Sequence, residues 1–316
     1  MTWHIRPARD DDAELTAYAA VVNAVTPDSP TSLEEMRWQD ATYPGGHRLV
    51  AEVNGAIVGT ARVGRIYMYP PAFERFWFGI EVLSEYRRQG IGSALLDAVA
   101  DAARAAGKTG LETTASDARP DGIAFLERSG FSAIERSKSV RLELTGLAPE
   151  PVQPPAGIEF TTLAARPELI DGVHEVALIA FPDIPSADEP IAVGDLAEFR
   201  KRDVDRPGIP HDGFFVALDT TSGEVVGYAA LMFLPGSRDL AWHDMTAVKR
   251  SHRGRGIAVA LKRATIQWAL DNGLTALETG NDETNAPMRA INARLGYQPL
   301  PDLIEYSGPL PVVDRP

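Results

Sequence analysis

Apolar and polar residues in the first half of the chain follow a pattern that predicts a mixed α/β fold. His47–Val53 and Ala56–Val63 flank Asn54-Gly55, a strong β-hairpin signal, and Phe76–Leu83 is predicted to be a further strand. After a glycine turn, apolar residues recur at the spacing of one helix face: Ile91, Ala94, Leu95, Ala98, Val99 and Ala102. A short strand and a second helix are predicted to follow, ending at Gly130-Phe131.

The second half of the chain repeats this order of elements. Strands predicted at Gly213–Leu218, Val225–Leu234 and Ala241–Val248 precede a second glycine turn and a helix with one apolar face. Val82–Phe131 aligns without a gap on Val248–Tyr297, with 16 identities in 50 positions. Because a repeat that keeps its loop lengths indicates one fold used twice, we expect two similar domains.

A proline-rich segment, Ala148–Pro155, marks the predicted border between the halves. Its four prolines in eight residues exclude a helix or a central strand, so an extended linker is expected. We therefore predict an N-terminal domain at 1–149, a linker at 150–155 and a C-terminal domain at 156–316.

Composition narrows the class of protein. A chain of 316 residues with 44% apolar and 24% charged residues is typical of a soluble globular protein. The lack of cysteine excludes a disulfide scaffold and a thiolate nucleophile. No apolar run approaches the roughly 18 residues of a membrane span, and the N-terminus has no apolar signal core. We expect a cytoplasmic protein with no membrane partner, either a monomer or a homodimer.

Charge favours some partners over others. The net charge of −13 argues against nonspecific nucleic-acid binding and favours a cationic partner such as an amine. In the second half, however, six cations occupy a 15-residue stretch without an acid: Lys249, Arg250, Arg253, Arg255, Lys262 and Arg263. Such a concentration predicts that these cations surround an anion at the second turn.

Each glycine turn is suited to hold a phosphate group. A helix start exposes unpaired N–H groups and the positive end of the helix dipole. Small residues allow the backbone to approach an anion, and arginines add charge-assisted hydrogen bonds. The turns consist of Arg87, Arg88, Gln89, Gly90, Ile91 and Gly92 in the first half, and of Arg253, Gly254, Arg255, Gly256, Ile257 and Ala258 in the second. Ala102 excludes a Walker A loop, and Leu95 and Val259 exclude a dinucleotide fingerprint.

A strand, an Arg-x-x-Gly-x-Gly/Ala turn, and a downstream helix ending at Gly130-Phe131 or Gly296-Tyr297 together resemble the Gcn5-related N-acetyltransferase (GNAT) superfamily. The duplication is similar to two-domain members such as mycothiol synthase. The resemblance implies two tandem GNAT folds, each a mixed, mostly antiparallel sheet flanked by helices. It also implies direct transfer of an acetyl group from acetyl-CoA to an amine.

The resemblance further implies positions for the cosubstrate. The pyrophosphate of coenzyme A would lie at 87–92 and 253–258, and the backbone of Val82 or Val248 would orient the acetyl carbonyl. Asn285 lies where the family has an asparagine that contacts the cofactor, whereas the first half has Arg119 there. Because the second half keeps more polar residues at such positions, we expect the chemistry to reside in the C-terminal half. The alternative is that the turn at 87–92, which matches the family pattern more closely, marks the active copy.

The groups that move protons are less well defined by the sequence. Many family members have a tyrosine four residues before the glycine of the Gly-Phe/Tyr pair, but this chain has Leu126 and Asn292. Tyr306 on the last predicted strand is a possible substitute acid. A carboxylate or histidine near the turns is needed as base. The candidates are Asp244, Glu278 and Glu81, with His243 and Glu112 as further possibilities.

Three functions remain open at this stage. The resemblance favours an acetyl-CoA-dependent N-acetyltransferase that acts on a small-molecule primary amine. A protein or peptide N-acetyltransferase is an alternative. The absence of both family tyrosines keeps a catalytically inactive acyl-CoA-binding protein as another alternative. The six histidines show no zinc spacing, so no metal is expected.

Overall fold

The computed structural model of the chain describes residues 2–148, 151–186 and 190–311. Pro149 and Glu150, at the predicted end of the N-terminal domain and start of the linker, lie outside these ranges. Residues 312–316, at the predicted end of the C-terminal domain, also lie outside them. Among the described residues, no helix is both long and apolar enough to cross a membrane.

The strands and helices that the sequence predicts around the two glycine turns are present in the predicted order. The first part of the chain forms β1 (His4–Pro7), α1 (Asp12–Val25), α2 (Leu33–Thr42), β2 (His47–Val53), β3 (Ala56–Arg65), β4 (Arg75–Val82), α3 (Ile91–Ala105), β5 (Gly110–Ser116), α4 (Pro120–Arg128) and β6 (Ser132–Glu143). The second part forms β7 (Ile158–Thr162), α5 (Ile170–Ala180), α6 (Leu196–Phe199), β8 (Phe215–Asp219), β9 (Val225–Phe233), β10 (Leu240–Val248), α7 (Ile257–Asp271), β11 (Ala276–Asp282), α8 (Ala286–Arg294), β12 (Gln298–Pro299) and β13 (Leu303–Pro309). A π-helical turn, Arg200–Val204, directly continues α6.

Local sequence signals explain where several elements begin. The Asp11 side chain accepts a hydrogen bond from the N–H of Glu14 at 2.9 Å, and therefore caps α1. Asn54 and Gly55 both have positive φ, as the tight turn between β2 and β3 requires.

The chain folds into two compact units whose borders differ from the predicted linker. Unit 1 comprises Met1–Arg136 and Asp302–Pro316, and unit 2 comprises Ser137–Pro301. Residues 137–149, predicted to end the first domain, therefore belong to unit 2, and the C-terminal strand belongs to unit 1. The reason is strand pairing: residues 137–143 of β6 pair with β11, and β13 pairs with β5.

In unit 1 the strand order is β1-β2-β3-β4-β5-β13, and every pair is antiparallel except the parallel pair β4–β5. Ile91 and Leu95 of α3 pack on one sheet face with Ala51 and Val53 of β2. Helices α1 and α2 pack on the other face, against Val50. The alternation of neighbouring side chains along β2 thus supplies a core on each face.

In unit 2 the strand order is β6-β11-β10-β9-β8-β7, again antiparallel except for the parallel pair β10–β11, and β12 pairs with β6. Helix α7 packs on one face against Ala217, and α5 packs on the other against Val216. The mixed, mostly antiparallel sheet flanked by helices that the sequence predicts for each half is confirmed.

Candidate active site

In each unit, a gap opens within the sheet between the two parallel strands. The pairing of β4 with β5 covers Arg75–Trp77 and Gly110–Glu112 only. Similarly, the pairing of β10 with β11 covers Leu240–Trp242 and Ala276–Glu278 only. Beyond these residues the strands continue without pairing to each other. A gap of this kind presents backbone donors and acceptors to an extended ligand.

The last residue of the inner strand points its backbone into the gap. The N–H of Leu83 donates to the carbonyl of Val58 in the neighbouring hairpin at 3.0 Å. Because backbone groups alternate along a strand, the N–H and C=O of Val82 face the gap. Arg87 Nε donates to this Val82 carbonyl at 3.0 Å and so ties the strand end to the turn. The corresponding bonds in unit 2 join Lys249 to Val226 at 2.9 Å and Arg253 to Val248 at 3.1 Å.

Both turns present free backbone donors. Gly90 and Gly256 adopt φ of +85° and +80°, in the left-handed region, directly before α3 and α7. The N–H groups of residues 88–93 and 254–259 make no hydrogen bond to any residue that the structure describes. A Cβ built on Gly254 would meet no atom within 4 Å, so the space beside this turn is open. The turns therefore have the geometry that a pyrophosphate requires.

The cationic stretch of unit 2 does not form the predicted ring around the second turn. Lys262 is buried on α7, and the side chain of Lys249 is also buried. Acids from other segments pair with much of the stretch: Glu175 and Glu224 with Lys249, Asp183 with Arg250 and Arg253, and Asp219 with Arg255. The expectation of six surrounding cations is therefore wrong, because acids far away in the sequence neutralise part of the stretch.

Asp244 lies on a β-bulge that has no counterpart in unit 1. The pairing of β10 with β9 shifts between His243 and Thr246, whereas the pairing of β4 with β3 runs without a shift. Asp244 and Met245 therefore face a single residue, Ala230, on β9. Bulges redirect side chains and occur frequently beside active sites.

A second carboxylate and a phenol surround Asp244 on the α5 face of the sheet. Burial raises the pKa of Asp244, although Arg206 and Arg202 oppose this. Burial also raises the pKa of Asp203 to about 6, opposed by Arg202, whose Nε lies 2.9 Å from the Asp203 carboxylate. The buried hydroxyl of Tyr228 makes no hydrogen bond with the described residues. Burial and the nearby carboxylates of Asp203 and Asp244 raise the pKa of this hydroxyl.

Glu81 lies on the equivalent face of unit 1. Its carboxylate accepts a hydrogen bond from Thr60 Oγ1 at 2.9 Å. Burial raises the pKa of Glu81 to about 7, although the Thr60 bond and the charge of Arg119 oppose the shift. Tyr18 of α1 is close enough for the Glu81 charge to contribute to the raised pKa of its hydroxyl. Glu81 and Asp244 therefore each lie on the sheet face opposite the helix that follows the glycine turn.

The structure places Glu278 in an ion pair. Arg141 of β6 contacts the Glu278 carboxylate at 3.0 Å. Glu278 and Trp242 form the last residue pair between β10 and β11. The equivalent Glu112 of unit 1 is fully buried and pairs with Arg75. A partner of opposite charge in both units indicates a role in holding the strands. The geometry thus favours Asp244 and Glu81 over Glu278 as proton acceptors.

Two other candidates lie in packed surroundings. His243 Nδ1 is 3.0 Å from the Tyr297 hydroxyl, and its Nε2 is 3.2 Å from Thr265 Oγ1. Burial lowers the pKa of His243 well below its usual range. Tyr306 is 3% exposed and pairs with Thr113 in unit 1. Tyr306 lies within the predicted C-terminal domain of 156–316, but strand pairing makes it part of the unit 1 core.

Three asparagines of unit 2 have two kinds of role: Asn285 caps a helix, and Asn281 and Asn292 form a hydrogen-bonded pair. Asn285 caps α8, because its side-chain oxygen accepts a hydrogen bond from the N–H of Met288 at 3.3 Å. Asn292 is 2% exposed and donates to Asn281 Oδ1 at 2.7 Å. Asn281 lies within β11. Asp203 and Tyr228 had no recognisable sequence signal, since only folding brings them close to Asp244.

Comparison with known proteins identifies similar sequences and folds. The model of the Acetyltransferase (GNAT) family matches residues 16–131 and 178–297. A tandem GNAT protein from the clavulanic acid biosynthesis pathway is 23% identical, with a TM-score of 0.79 over 99% of this chain and 100% of that one. A GCN5-related N-acetyltransferase from Sphaerobacter thermophilus is 17% identical, with a TM-score of 0.73 over 98% and 96%.

A third solved structure with a similar fold is an N-myristoyltransferase. N-myristoyltransferase from Saccharomyces cerevisiae with bound myristoyl-CoA is 11% identical, with a TM-score of 0.65 over 97% of this chain and 82% of that one. These identities are low, so the structural likenesses establish the fold alone. A comparison with curated protein sequences gives no match.

Proposed function

Because the chain belongs to the GNAT acetyltransferase family, we propose that it transfers an acetyl group from acetyl-CoA to a primary amine of a small molecule. The family match supports an acyltransferase that uses an acyl-CoA. The negative net charge of −13 supports a cationic acceptor over an anionic one. The observation that carries the proposal is the combination, within unit 2, of a bulged strand bearing Asp244 and a turn with free N–H groups.

The residues of unit 2 fit an acyl-CoA in two places. The free N–H groups of residues 254–259 and the start of α7 would bind the pyrophosphate, with Arg253 beside them. The backbone of Val248 faces the gap and would hold the acyl end. When bound, acyl-CoA supplies the activated acyl group as a thioester. Asn285 begins α8 and is proposed as a further contact.

Asp244 is the proposed proton acceptor. An amine must be neutral to attack a carbonyl carbon, so its proton has to pass to a nearby base directly or through water. The raised pKa of Asp244 makes this carboxylate a stronger base than an exposed aspartate. Asp203 and Tyr228 would orient the amine by hydrogen bonds from the same face. No covalent enzyme intermediate is needed, because the amine attacks the thioester directly.

Matched glycine variants test both the activity and the unit responsible for it. Gly256→Val and Gly90→Val each force a β-branched residue into left-handed backbone and place side-chain bulk beside the turn. We expect Gly256→Val to abolish acetyl transfer and Gly90→Val to retain most of it. Free coenzyme A can be measured with a thiol reagent without background, because the chain has no cysteine.

The substrate panel should contain small amines, amino acids, aminoglycosides and peptides. Turnover confined to peptides would favour a peptide acetyltransferase. Binding of acetyl-CoA without turnover of any amine would favour a binding protein. Loss of activity in Gly90→Val with full activity in Gly256→Val would assign the chemistry to unit 1 and to Glu81.

A further inference from the structure

The interior of unit 2 contains a buried lysine without a negative partner. Lys262 of α7 is 2% exposed, and its ammonium lies 5.4 Å from the centre of the Tyr297 ring. No carboxylate among the described residues pairs with Lys262, and its ammonium forms no hydrogen bond with them. A buried charge with no partner is costly for folding, so its retention calls for another explanation.

Lys262 belongs to a group of buried polar side chains that we call the interior polar cluster. Its members are Lys262, Thr265, His243, Asn281, Asn292 and Tyr297. Hydrogen bonds join His243 to both Tyr297 and Thr265, and Asn292 to Asn281. Asn292 Oδ1 is buried and has no hydrogen-bond partner among the described residues. The cluster therefore contains an unsatisfied amide oxygen, and a Lys262 ammonium that contacts the Tyr297 ring but no carboxylate of the described residues.

Unit 1 builds the same location from apolar residues. With one residue added for the bulge, the repeat alignment matches Lys262 with Leu96, Thr265 with Val99 and His243 with Phe78. It matches Asn281 with Ala115, Asn292 with Leu126 and Tyr297 with Phe131. Most of these residues belong to one buried apolar cluster. The fold thus forms without any polar group here, and the polar residues of unit 2 are not required by the architecture.

The cluster lies on the opposite side of the sheet from Asp244, at the same point along β10. His243 directly follows Trp242, the last residue paired with β11, so it marks the narrow end of the gap. The side chain of His243 contacts Thr265 of α7, whereas the next residue, Asp244, faces the α5 side. A thioester held in the gap would therefore have a carboxylate on one face and the interior polar cluster on the other.

We propose that the Lys262 ammonium protonates the departing sulfur of coenzyme A in unit 2. The inference rests on the proposed function. The amine nitrogen bonds to the acyl carbon as the carbon–sulfur bond breaks, and the electron pair of that bond goes to sulfur. Lys262 gives the sulfur a proton and later regains one from solvent, while the proton of the amine passes to Asp244.

The electrical surroundings of Lys262 suit a proton donor. Burial lowers the pKa of Lys262 to about 7, so the ammonium loses its proton more readily than an exposed lysine does. The titratable groups that face it are His243 of β10 and Tyr297, which follows α8. Burial keeps His243 neutral and raises the pKa of the Tyr297 hydroxyl, so neither competes as the acid near neutral pH.

The bound thiol itself provides the test. The Gly90→Val background confines binding to unit 2, and the absence of cysteine leaves coenzyme A as the sole thiol. A thiolate keeps a neighbouring ammonium protonated, so the thiol and Lys262 should titrate as a coupled pair. Ultraviolet titration should therefore show the thiolate at a lower pH than the ordinary thiol pKa of about 8.5. Lys262→Met should raise the thiol pKa to about 8.5 or above, on the order of a full unit or more. Lys201→Met removes an exposed lysine of the same unit and should leave the thiol pKa unchanged.

Kinetics distinguish catalysis from support of the fold. Lys262→Met should lower kcat by roughly 100-fold or more with little change in the KM for acyl-CoA. Since the acid must be protonated, kcat of the parent falls as the pH rises through the Lys262 pKa, and the variant should lose this fall. Lys262→Gln is a second variant that keeps a polar side chain, and thermal melting checks that both variants are folded.

The possible outcomes separate this inference from the proposed function. An unchanged thiol pKa in a folded Lys262→Met or Lys262→Gln protein would overturn the role of Lys262 while leaving the transferase proposal intact. Failure of the parent to bind coenzyme A would overturn the proposed function and this inference together.

Discussion

The strand that enters the glycine turn is regular in unit 1 and bulged in unit 2. In unit 1, β4 pairs with β3 continuously from Phe76 to Val82. In unit 2, one additional residue in β10 displaces Asp244 and Met245 from the regular ladder. The two glycine turns nevertheless have nearly the same backbone. The two units therefore share the geometry of the glycine turn, while the strand that enters the turn differs between them.

The faces covered by α3 and α7 differ in the same direction. Unit 1 fills the space beneath α3 with apolar side chains that include Leu96 and Leu126. Unit 2 places Lys262 and Asn292 at the equivalent positions, although both are almost completely buried. Because an apolar core would be the more stable solution, the polar version points to selection for function. We interpret unit 2 as the catalytic half and unit 1 as a binding or structural half.

The largest expected effect concerns Tyr306, whose strand is the last in the chain but belongs to unit 1. Tyr306→Ala should destabilise unit 1 by about 3–5 kcal/mol, as removal of a buried aromatic ring usually does. Hydrogen exchange should then accelerate in β4 and β5, with β9 and β10 little affected. Tyr306→Phe keeps the ring and serves as the control. Faster exchange confined to unit 2 would contradict the assignment of this strand.

The same strand illustrates what the sequence could predict. Helical spacing at Ile91–Ala102, the Asn54-Gly55 hairpin and the repeated turns are local patterns, and the corresponding elements are present. The partner of a strand depends instead on residues far away in the chain. The pairing of β13 with β5 therefore escaped a division based on the proline-rich segment, which lies wholly within unit 2.

The candidate site was predictable to a similar extent. The turns follow from short motifs with a physical role, so their position could be derived from the sequence. The surroundings of individual charges could not, because Lys249 meets Glu224 and Glu278 meets Arg141 only after folding. The bulge at Asp244 was hidden for a related reason. One additional residue in a strand leaves no trace in a hydrophobic pattern until the partner strand is known.

A second prediction tests the bulge. Asp244→Asn should lower the rate of acetyl transfer by about 100-fold, because the amide cannot accept the proton of the amine. The rate of the parent should rise with pH as Asp244 ionises, at a pH above the usual aspartate range, and this rise should disappear in the variant. The exposed Asp271→Asn is the control. If Asp244→Asn retained full activity with an unchanged pH profile, the proton acceptor would have to lie elsewhere.

A third prediction concerns the carboxylate of Glu81 in unit 1. Burial raises the pKa of Glu81 to about 7 in the folded protein, above its value in the unfolded chain. Stability that is present below pH 4.5 is therefore lost as the pH rises towards 7, because ionisation then favours the unfolded chain. Glu81→Gln removes this ionisation and can still accept the hydrogen bond from Thr60.

We therefore expect Glu81→Gln to stabilise the protein by about 1–2 kcal/mol at pH 8 and by little at pH 4. Solvent screens part of the electrostatic effect, because the Glu81 side chain is partly exposed. Urea unfolding at the two pH values measures the difference, and the exposed Glu85→Gln should show none. If Glu81 were the working base, the same variant would lose acetyl transfer. A more stable protein with normal turnover would indicate that unit 1 binds the cosubstrate or has a structural role. Asp244 of unit 2 would then remain the proposed proton acceptor.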